Sequence, residues 1–298
     1  MIGGIDLGGT KIEARLFAPD LKEVARQRVP TPRGSYKALM DAVLSQISWL
    51  EKKGDIASVG IGTPGLVNPA TGVFLTANLP ATGRALAADL ACRCNTPVWV
   101  LKDSRAAALS EAADGAAAGY RAVLGLTLGT GVSAAIVLDQ TLPADLNGQA
   151  GEVGHTSLPW TVMQQHGLTP ALCGCGLNGC YETFMSGPGI CALALQLTGR
   201  AATPEQVMHD PEMSQIRDIW DDIASDLIAN LTRTLDPQVV VLSGGLGMAE
   251  GLPERLAAAL RTKVLTGTQV PAIVQAKYGD ASGARGAALY ALRMQRSA

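Results

Sequence analysis

The sequence predicts a two-part α/β protein, and three observations lead there. An apolar run, Ile2–Ile5, meets the turn Asp6-Leu7-Gly8-Gly9-Thr10-Lys11 and continues into a second run, Ile12–Phe17. The same strand, glycine turn and strand return at Val123–Leu128, Gly129-Thr130-Gly131 and Val132–Leu138. A third buried run, Val239–Leu242, follows Asp236-Pro237 and ends in Ser243-Gly244-Gly245. The echo implies two related halves. No linker, charge block or low-complexity segment divides the chain, so the boundary expected near residue 116 rests on pattern alone.

The remaining elements follow in order. A strand is expected near Val24–Val29. A helix is expected over Tyr36–Leu50, with Leu39, Val43 and Ile47 on one face. Val59–Gly62 reads as a buried strand stopped by Pro64-Gly65, Ala85–Cys94 as a helix, Val98–Leu101 as a strand and Ser104–Ala113 as an Ala-rich helix. Residues 143–182 are poor in regular pattern and rich in Gly and Cys. Two helical stretches come next, the longer from about Met213 to Leu235, then a helix from Pro253, a strand near Ala272–Val274 and a last helix over Ala284–Met294.

Bulk properties exclude several classes. The 298 residues suffice for two domains, and 47% hydrophobic content supplies their cores. Aromatics are only 4%, so Ala, Leu, Val and Ile must do the packing. With 24 basic and 26 acidic residues and no basic stripe, the chain does not read as a nucleic-acid binder. The uncharged, mostly apolar stretch Ala122–Leu138 is short for a membrane span and has Gly-Thr-Gly in its middle. Asp6 interrupts the place where a signal peptide would be apolar. Together with six Cys this points to the reducing cytoplasm, where clustered thiols hold metal more often than they pair.

The glycine turns have a chemical reading. Glycines let the backbone approach phosphate oxygens closely and aim N–H groups at them. In the first turn Gly8 and Gly9 do this, Thr10 adds a hydroxyl, Lys11 a charge, and Asp6 could hold Mg²⁺ through water. Gly129, Thr130 and Gly131 form the second such turn, and Gly244-Gly245 could lie flat under a nucleoside. Each alone is also what a plain turn contains. The first fits neither a Walker loop nor GxGxxG, which disfavours a dinucleotide-binding dehydrogenase.

A fourth motif, Cys173-Gly-Cys175-Gly-Leu-Asn-Gly-Cys180, has His155 eighteen positions upstream. Three thiolates and one imidazole satisfy tetrahedral Zn²⁺ with no open position, which makes the expected zinc structural. Cys92 and Cys94 stand two apart on an expected helix and do not face each other, so core packing is expected for them and for Cys191. Glu152, His155 and Glu182 flank the thiols, and a locked loop would fix them where sugar hydroxyls need partners; surface carboxylates are the plainer reading. Lys102-Asp103 ends a strand and opens a helix. There Asp103 could accept a proton from an attacking hydroxyl or simply cap the helix.

Taken together these motifs resemble the ROK (repressor, ORF, kinase) family, almost end to end. DLGGTK resembles its first phosphate motif, LGTGV its second and LDPxxVVLSGG its adenosine region. GEVGH (151–155) and CGCGLNGCYE (173–182) are similar to its two-part signature. TPR (31–33), GIGTPGLVNPATG (60–72) and ANLP (77–80) look like bacterial N-acetylglucosamine kinases. YGDASGARGAA (278–288) fits both those and the fructokinase-mannokinase branch, and SEAADGAAAG (110–119) and YETFMSG (181–187) lean to the latter.

The resemblance implies an actin-like (ribonuclease H-like) fold of two α/β domains. The smaller would span 1–116, completed by the helix 284–298, and the larger 117–283 would carry the zinc loop. It implies ATP, Mg²⁺ and Zn²⁺ as cofactors, a homodimer, and phosphorylation of a hexose at its primary hydroxyl. N-acetylglucosamine is the first expectation; fructose, mannose, glucose or a weakly catalytic sugar sensor are the alternatives. By matching position Asp103 would be the catalytic base. Asn78, Glu152, His155 and Glu182 would contact sugar, and His155, Cys173, Cys175 and Cys180 would bind zinc. The first phosphate motif begins at residue 6, so no DNA-binding domain is expected before it. Two departures stand out. Lys102-Asp103-Ser104-Arg105 replaces the family's Asn-Asp-Ala-Asn, which puts Lys102 where a sugar-binding Asn is usual. Val132-Ser133-Ala134-Ala135 replaces Val-Gly-Gly-Gly, with added Cβ atoms near the backbone.

Overall fold

The computed structural model describes residues 1–297 and divides into two compact units. In chain order the first elements are β1 (Ile2–Leu7), β2 (Lys11–Phe17), β3 (Glu23–Pro30), α1 (Tyr36–Lys53) and β4 (Val59–Thr63). Next come β5 (Leu66–Val67), β6 (Phe74–Leu75), α2 (Leu86–Ala91), β7 (Val98–Lys102) and α3 (Asp103–Asp114). Then follow β8 (Ala122–Leu128), β9 (Val132–Leu138), α4 (Trp160–His166), α5 (Glu182–Met185), α6 (Gly187–Thr198), α7 (Pro204–His209) and α8 (Ser214–Leu235). The chain finishes with β10 (Val239–Ser243), α9 (Gly244–Gly247), α10 (Leu252–Leu260), β11 (Ala272–Gln275) and α11 (Ser282–Ser297).

Of the described residues, the first unit comprises 1–119, 136–150 and 280–297. Its sheet runs β3-β2-β1-β4-β7, with β1, β2 and β3 antiparallel in succession and β4 and β7 parallel to β1. Helix α1 starts on Ser35, whose hydroxyl accepts the Ala38 N–H at 3.2 Å. It buries Leu39, Val43, Ile47 and Leu50 against Ile5, Leu7, Ile12 and Leu16 of the sheet. Helix α11 packs close to the sheet because small residues meet there. A Cβ on Gly4 would stand 2.0 Å from the Ala284 carbonyl oxygen, and one on Gly60 1.8 Å from that of Ala287. One on Gly286 would stand 1.7 Å from the Ala106 carbonyl oxygen of α3.

The second unit comprises residues 120–135 and 151–279, around the sheet β11-β10-β8-β9, in which β10 runs parallel to β8 and β11. Its core gathers Trp220, Ile223, Leu227 and Ile228 of the amphipathic α8 with Leu124, Leu126, Val240 and Leu242 of the strands. Trp220 also donates its indole N–H to the Met185 carbonyl at 3.1 Å.

The strands and long helices follow the periodicity of the sequence, with differences in four places. Residues 136–150 group with the first unit rather than following a single cut near 116. There Leu142 packs on Leu101, Ala106 and Ala287, and Asp145 pairs with Arg105. Helix α4 lies within the stretch expected to be irregular. Ser243-Gly244-Gly245 opens the short helix α9 instead of a free turn. Cys92 lies past the end of α2 and is exposed, not packed in a core, while the Cys94 thiol donates to the Leu90 carbonyl at 3.3 Å. Among the described residues no helix is long and apolar enough to cross a membrane.

Candidate active site

In the first unit the β1–β2 hairpin closes over Gly8-Gly9-Thr10, with the Gly8 N–H donating to the Lys11 carbonyl at 2.9 Å. The carbonyl edge of the turn is occupied. Thr31 donates its hydroxyl to the Gly8 oxygen at 2.7 Å and its N–H to Thr10 at 3.0 Å, and Arg33 donates to Gly9 at 3.0 Å. Donors are therefore what the turn has to offer an anion. Asn78 is brought against it, since a Cβ on Gly9 would meet the Asn78 Cβ at 3.2 Å. Lys11 pairs with Asp280 at 3.2 Å.

Asp6 and Asp103 lie at the same end of the sheet, Asp6 in the last two residues of β1 and Asp103 directly after the parallel strand β7, with β4 between. In open α/β sheets this is the end that takes ligands. Burial pushes the Asp6 carboxyl up to about 7; Asp103, Glu13 and Asp280 add to the rise and Lys11 opposes it. Two carboxylates together at strand ends suit a hard cation, which would replace the proton that Asp6 retains. Gly283 of α11 lies beside Asp6, where a Cβ would come 3.5 Å from the carboxyl carbon.

Asp103 is the first residue of α3 rather than its cap; the cap position is Lys102, whose side chain makes no capping bond. The Asp103 Oδ1 accepts the Ser104 N–H at 2.6 Å. Lys102 is 7% exposed, against the usual habit of lysine to reach solvent.

In the second unit the turn Gly129-Thr130-Gly131 is closed by the Gly129 N–H on the Gly131 carbonyl at 3.0 Å. Gly187 donates to the Gly129 carbonyl at 2.7 Å, and Val132 donates to Glu182 Oε2 at 2.9 Å. Gly244, at φ 78°, lies against the same turn's entry, because a Cβ there would stand 2.4 Å from the Leu128 carbonyl oxygen. Thr127 and Ser243, at the ends of parallel β8 and β10, share a hydroxyl contact of 3.0 Å.

The GEVGH segment lies flat along β9 because of its glycines. Gly151 has φ 93°, and a Cβ on it would stand 1.7 Å from the Ala134 carbonyl oxygen. Its own carbonyl accepts the Ala134 N–H at 2.8 Å. Gly154 also lies close to β9, since a Cβ on it would stand 2.4 Å from the Val132 carbonyl oxygen. This brings His155 to the Cys-rich loop, which folds back through Cys173 N–H to Leu177 O at 2.7 Å and Leu158 N–H to Gly179 O at 2.8 Å.

The donor atoms of His155, Cys173, Cys175 and Cys180 all lie within 4.8 Å of one another. Cys173 Sγ is 3.5 Å from His155 Nδ1, and Cys175 Sγ is 3.6 Å from Cys180 Sγ. A tetrahedral zinc with ordinary Zn–S and Zn–N lengths holds its ligands roughly 3.5–3.8 Å apart, so the donor set fits. Burial pushes the Cys173 and Cys180 thiols up, while the Leu177 N–H pulls Cys175 down. A divalent cation would reverse the reluctance of the buried pair to ionise. Glu152 Oε2 stands 3.6 Å from His155 Nε2, on the side of the ring away from the thiols, where an outer carboxylate orients a metal-bound imidazole.

The sequence-predicted residues thus fall into two groups. Asp6, Gly8, Gly9, Thr10, Lys11, Asn78, Lys102 and Asp103 lie in the first unit, and Gly129, Thr130, Gly131, Glu152, His155, the three Cys, Glu182, Gly244 and Gly245 in the second. Sequence reasoning missed Asp280, whose partner Lys11 is 269 residues away, and the Gly187–Gly129 bond. The pattern that defines the ROK family matches residues 2–294. The chain belongs to the ROK family.

Among ROK relatives, the N-acetylgalactosamine kinase of Shewanella sp. is 37% identical over 97% of this chain and 96% of its own. The N-acetyl-D-glucosamine kinase of Photobacterium profundum is 38% identical over 97% and 98%. The ROK hexokinase of Thermus thermophilus superposes with a TM-score of 0.87 at 30% identity, covering 100% of this chain and 99% of that one. A ROK glucokinase of Streptomyces griseus, solved with glucose and AMPPNP, gives 0.79 at 26% identity over 98% and 99%. The fold is therefore the actin-like one of ROK sugar kinases. In the departure after Val132, Ala134 and Ala135 are buried, so their added Cβ atoms are packed within the unit.

Proposed function

We propose that this ATP-dependent sugar kinase of the ROK family phosphorylates the primary hydroxyl of N-acetylglucosamine, yielding N-acetylglucosamine 6-phosphate and ADP. The observation that carries this reading is full-length similarity, at 36–38% identity, to kinases named for N-acetylated hexosamines. Asp103 accepts the proton of the attacking hydroxyl as its oxygen bonds to the γ-phosphorus and the bond to the β–γ bridging oxygen breaks. The Ser104 N–H fixes the orientation of that carboxylate. The N–H groups of Gly9 and Thr10 in one turn and of Thr130 and Gly131 in the other hold the phosphates, the Gly8 and Gly129 N–H groups being used to close the turns, and Gly244-Gly245 lie under the nucleoside. Asp6 would hold Mg²⁺ through water, and the ion would neutralise phosphate charge. Asn78, Glu152, His155 and Glu182 orient the sugar, and Lys102 stands in sequence where a further sugar-binding side chain is expected.

His155, Cys173, Cys175 and Cys180 would hold one zinc, which leaves no coordination position for substrate and acts by fixing the loop. The same reading takes the protein to be a cytoplasmic homodimer. An ADP-release assay with N-acetylglucosamine, N-acetylgalactosamine, glucose, mannose and fructose tests it. N-acetylglucosamine should give the highest kcat/KM, and Asp103→Asn should lose nearly all turnover while nucleotide binding persists. Preference for another sugar would refute the acceptor, wild-type turnover in the variant would refute the base, and no ADP release with any sugar would refute the reaction.

A further inference from the structure

The Glu182 carboxylate has two neighbours at once. Its Oε2 accepts the Val132 N–H at 2.9 Å, and its Oε1 lies 4.0 Å from His155 Nδ1. Val132 directly follows the turn Gly129-Thr130-Gly131. Gly131 leaves no slack, because a Cβ there would stand 2.8 Å from Glu182 Oε2. A second tie comes from the same short segment, where the Gly187 N–H donates to the Gly129 carbonyl at 2.7 Å. The turn is thus gripped at both ends by Glu182 and Gly187. Between them Ser186 stiffens the grip: its hydroxyl donates to the Glu182 carbonyl at 2.7 Å and accepts the Gly189 N–H at 3.0 Å. This segment begins two residues after Cys180.

We propose that Glu182 is a positioning residue of the phosphate turn, through which the Cys-rich loop sets the direction of the turn's N–H groups. The inference rests on reading Gly129–Gly131 as a phosphate-binding turn, and it goes beyond a role for Glu182 toward sugar. A carboxylate is a strong, directional acceptor for a backbone N–H. Losing it frees the start of β9 to rotate, and small errors of aim at a phosphate are costly. An effect confined to sugar is what a sugar contact alone would give.

The test is calorimetric binding of AMPPNP with Mg²⁺, without sugar, to the wild type, Glu182→Gln and Glu182→Ala, with zinc content and melting followed in each. Glu182→Ala should weaken nucleotide binding about tenfold. Glu182→Gln, whose amide oxygen still accepts the Val132 N–H, should stay within about threefold of wild type. Sugar KM should rise in both. Equal nucleotide affinity in all three proteins overturns the inference, as does equal weakening in Gln and Ala. If Glu182→Ala does not fold, Glu182→Asp, one methylene too short to reach Val132, replaces it with the same expected loss and the same refutation. Absence of nucleotide binding by the wild type would instead sink the phosphate reading, and this inference with it.

Discussion

Replacing Asp6 by Asn should make the nucleotide-free protein less sensitive to pH. The Asp6 carboxyl is pushed from an ordinary 3.8 up to about 7, first by burial and then by the neighbouring Asp103. A group whose folded pKa is raised keeps its proton in the folded protein after the unfolded chain has lost it. Stability therefore falls as pH rises from about 4 to 7, and the full penalty is present above 7. At ~1.4 kcal/mol per unit, the penalty reaches at most about 4 kcal/mol, and about 2–3 kcal/mol of it develops between pH 5 and pH 8. Asn carries no charge at either pH, so comparing the two proteins at both pH values cancels pH-independent effects of the substitution. Urea unfolding without Mg²⁺ or nucleotide should show the wild type losing about 2–3 kcal/mol relative to Asp6→Asn over that interval, or roughly 5 °C in Tm. Parallel pH profiles would refute the reasoning.

Lys102→Asn should raise kcat/KM for the preferred sugar about tenfold, because Asn both donates and accepts where Lys only donates; an unchanged or lower value in steady-state kinetics contradicts this. Gly151→Ala should cost about 3 kcal/mol or more in chemical denaturation, since it combines a left-handed φ with a Cβ 1.7 Å from the Ala134 oxygen. Stability within 1 kcal/mol of wild type would mean that β9 gives way freely. Elemental analysis should find about one zinc per chain, lost in Cys180→Ser together with several degrees of Tm; zinc-free protein with an unaltered Tm would remove the metal from the account.

The hairpins and the His-Cys cluster were legible because their signals are local. A glycine turn between alternating runs, or three Cys inside eight residues, carries its own geometry. Helix α4 was not legible: it is a two-turn helix with Trp160 exposed, and it opens after Pro159 without a side-chain cap. Membership of residues 136–150 in the first unit depends on Leu142 and the Arg105–Asp145 pair, whose partners lie far away in sequence. The burial of Lys102 ran against the general habit of lysine, and only the packed strand end reveals it. The Cys-rich motif told which atoms converge, but the hold of Glu182 on Val132 needed the backbone path of β9 to be known.

The closing helix also imposes an order on biosynthesis. Strands β1 and β4 leave the ribosome early, yet Gly4 and Gly60 have no side chains to cover their own face of the sheet. Ala284 and Ala287 fill that position, and they are translated only after every residue of the second unit. A nascent chain therefore carries a bare glycine-lined surface through most of its synthesis, while the second unit can complete its core beforehand. The half of the protein that is begun first is sealed last.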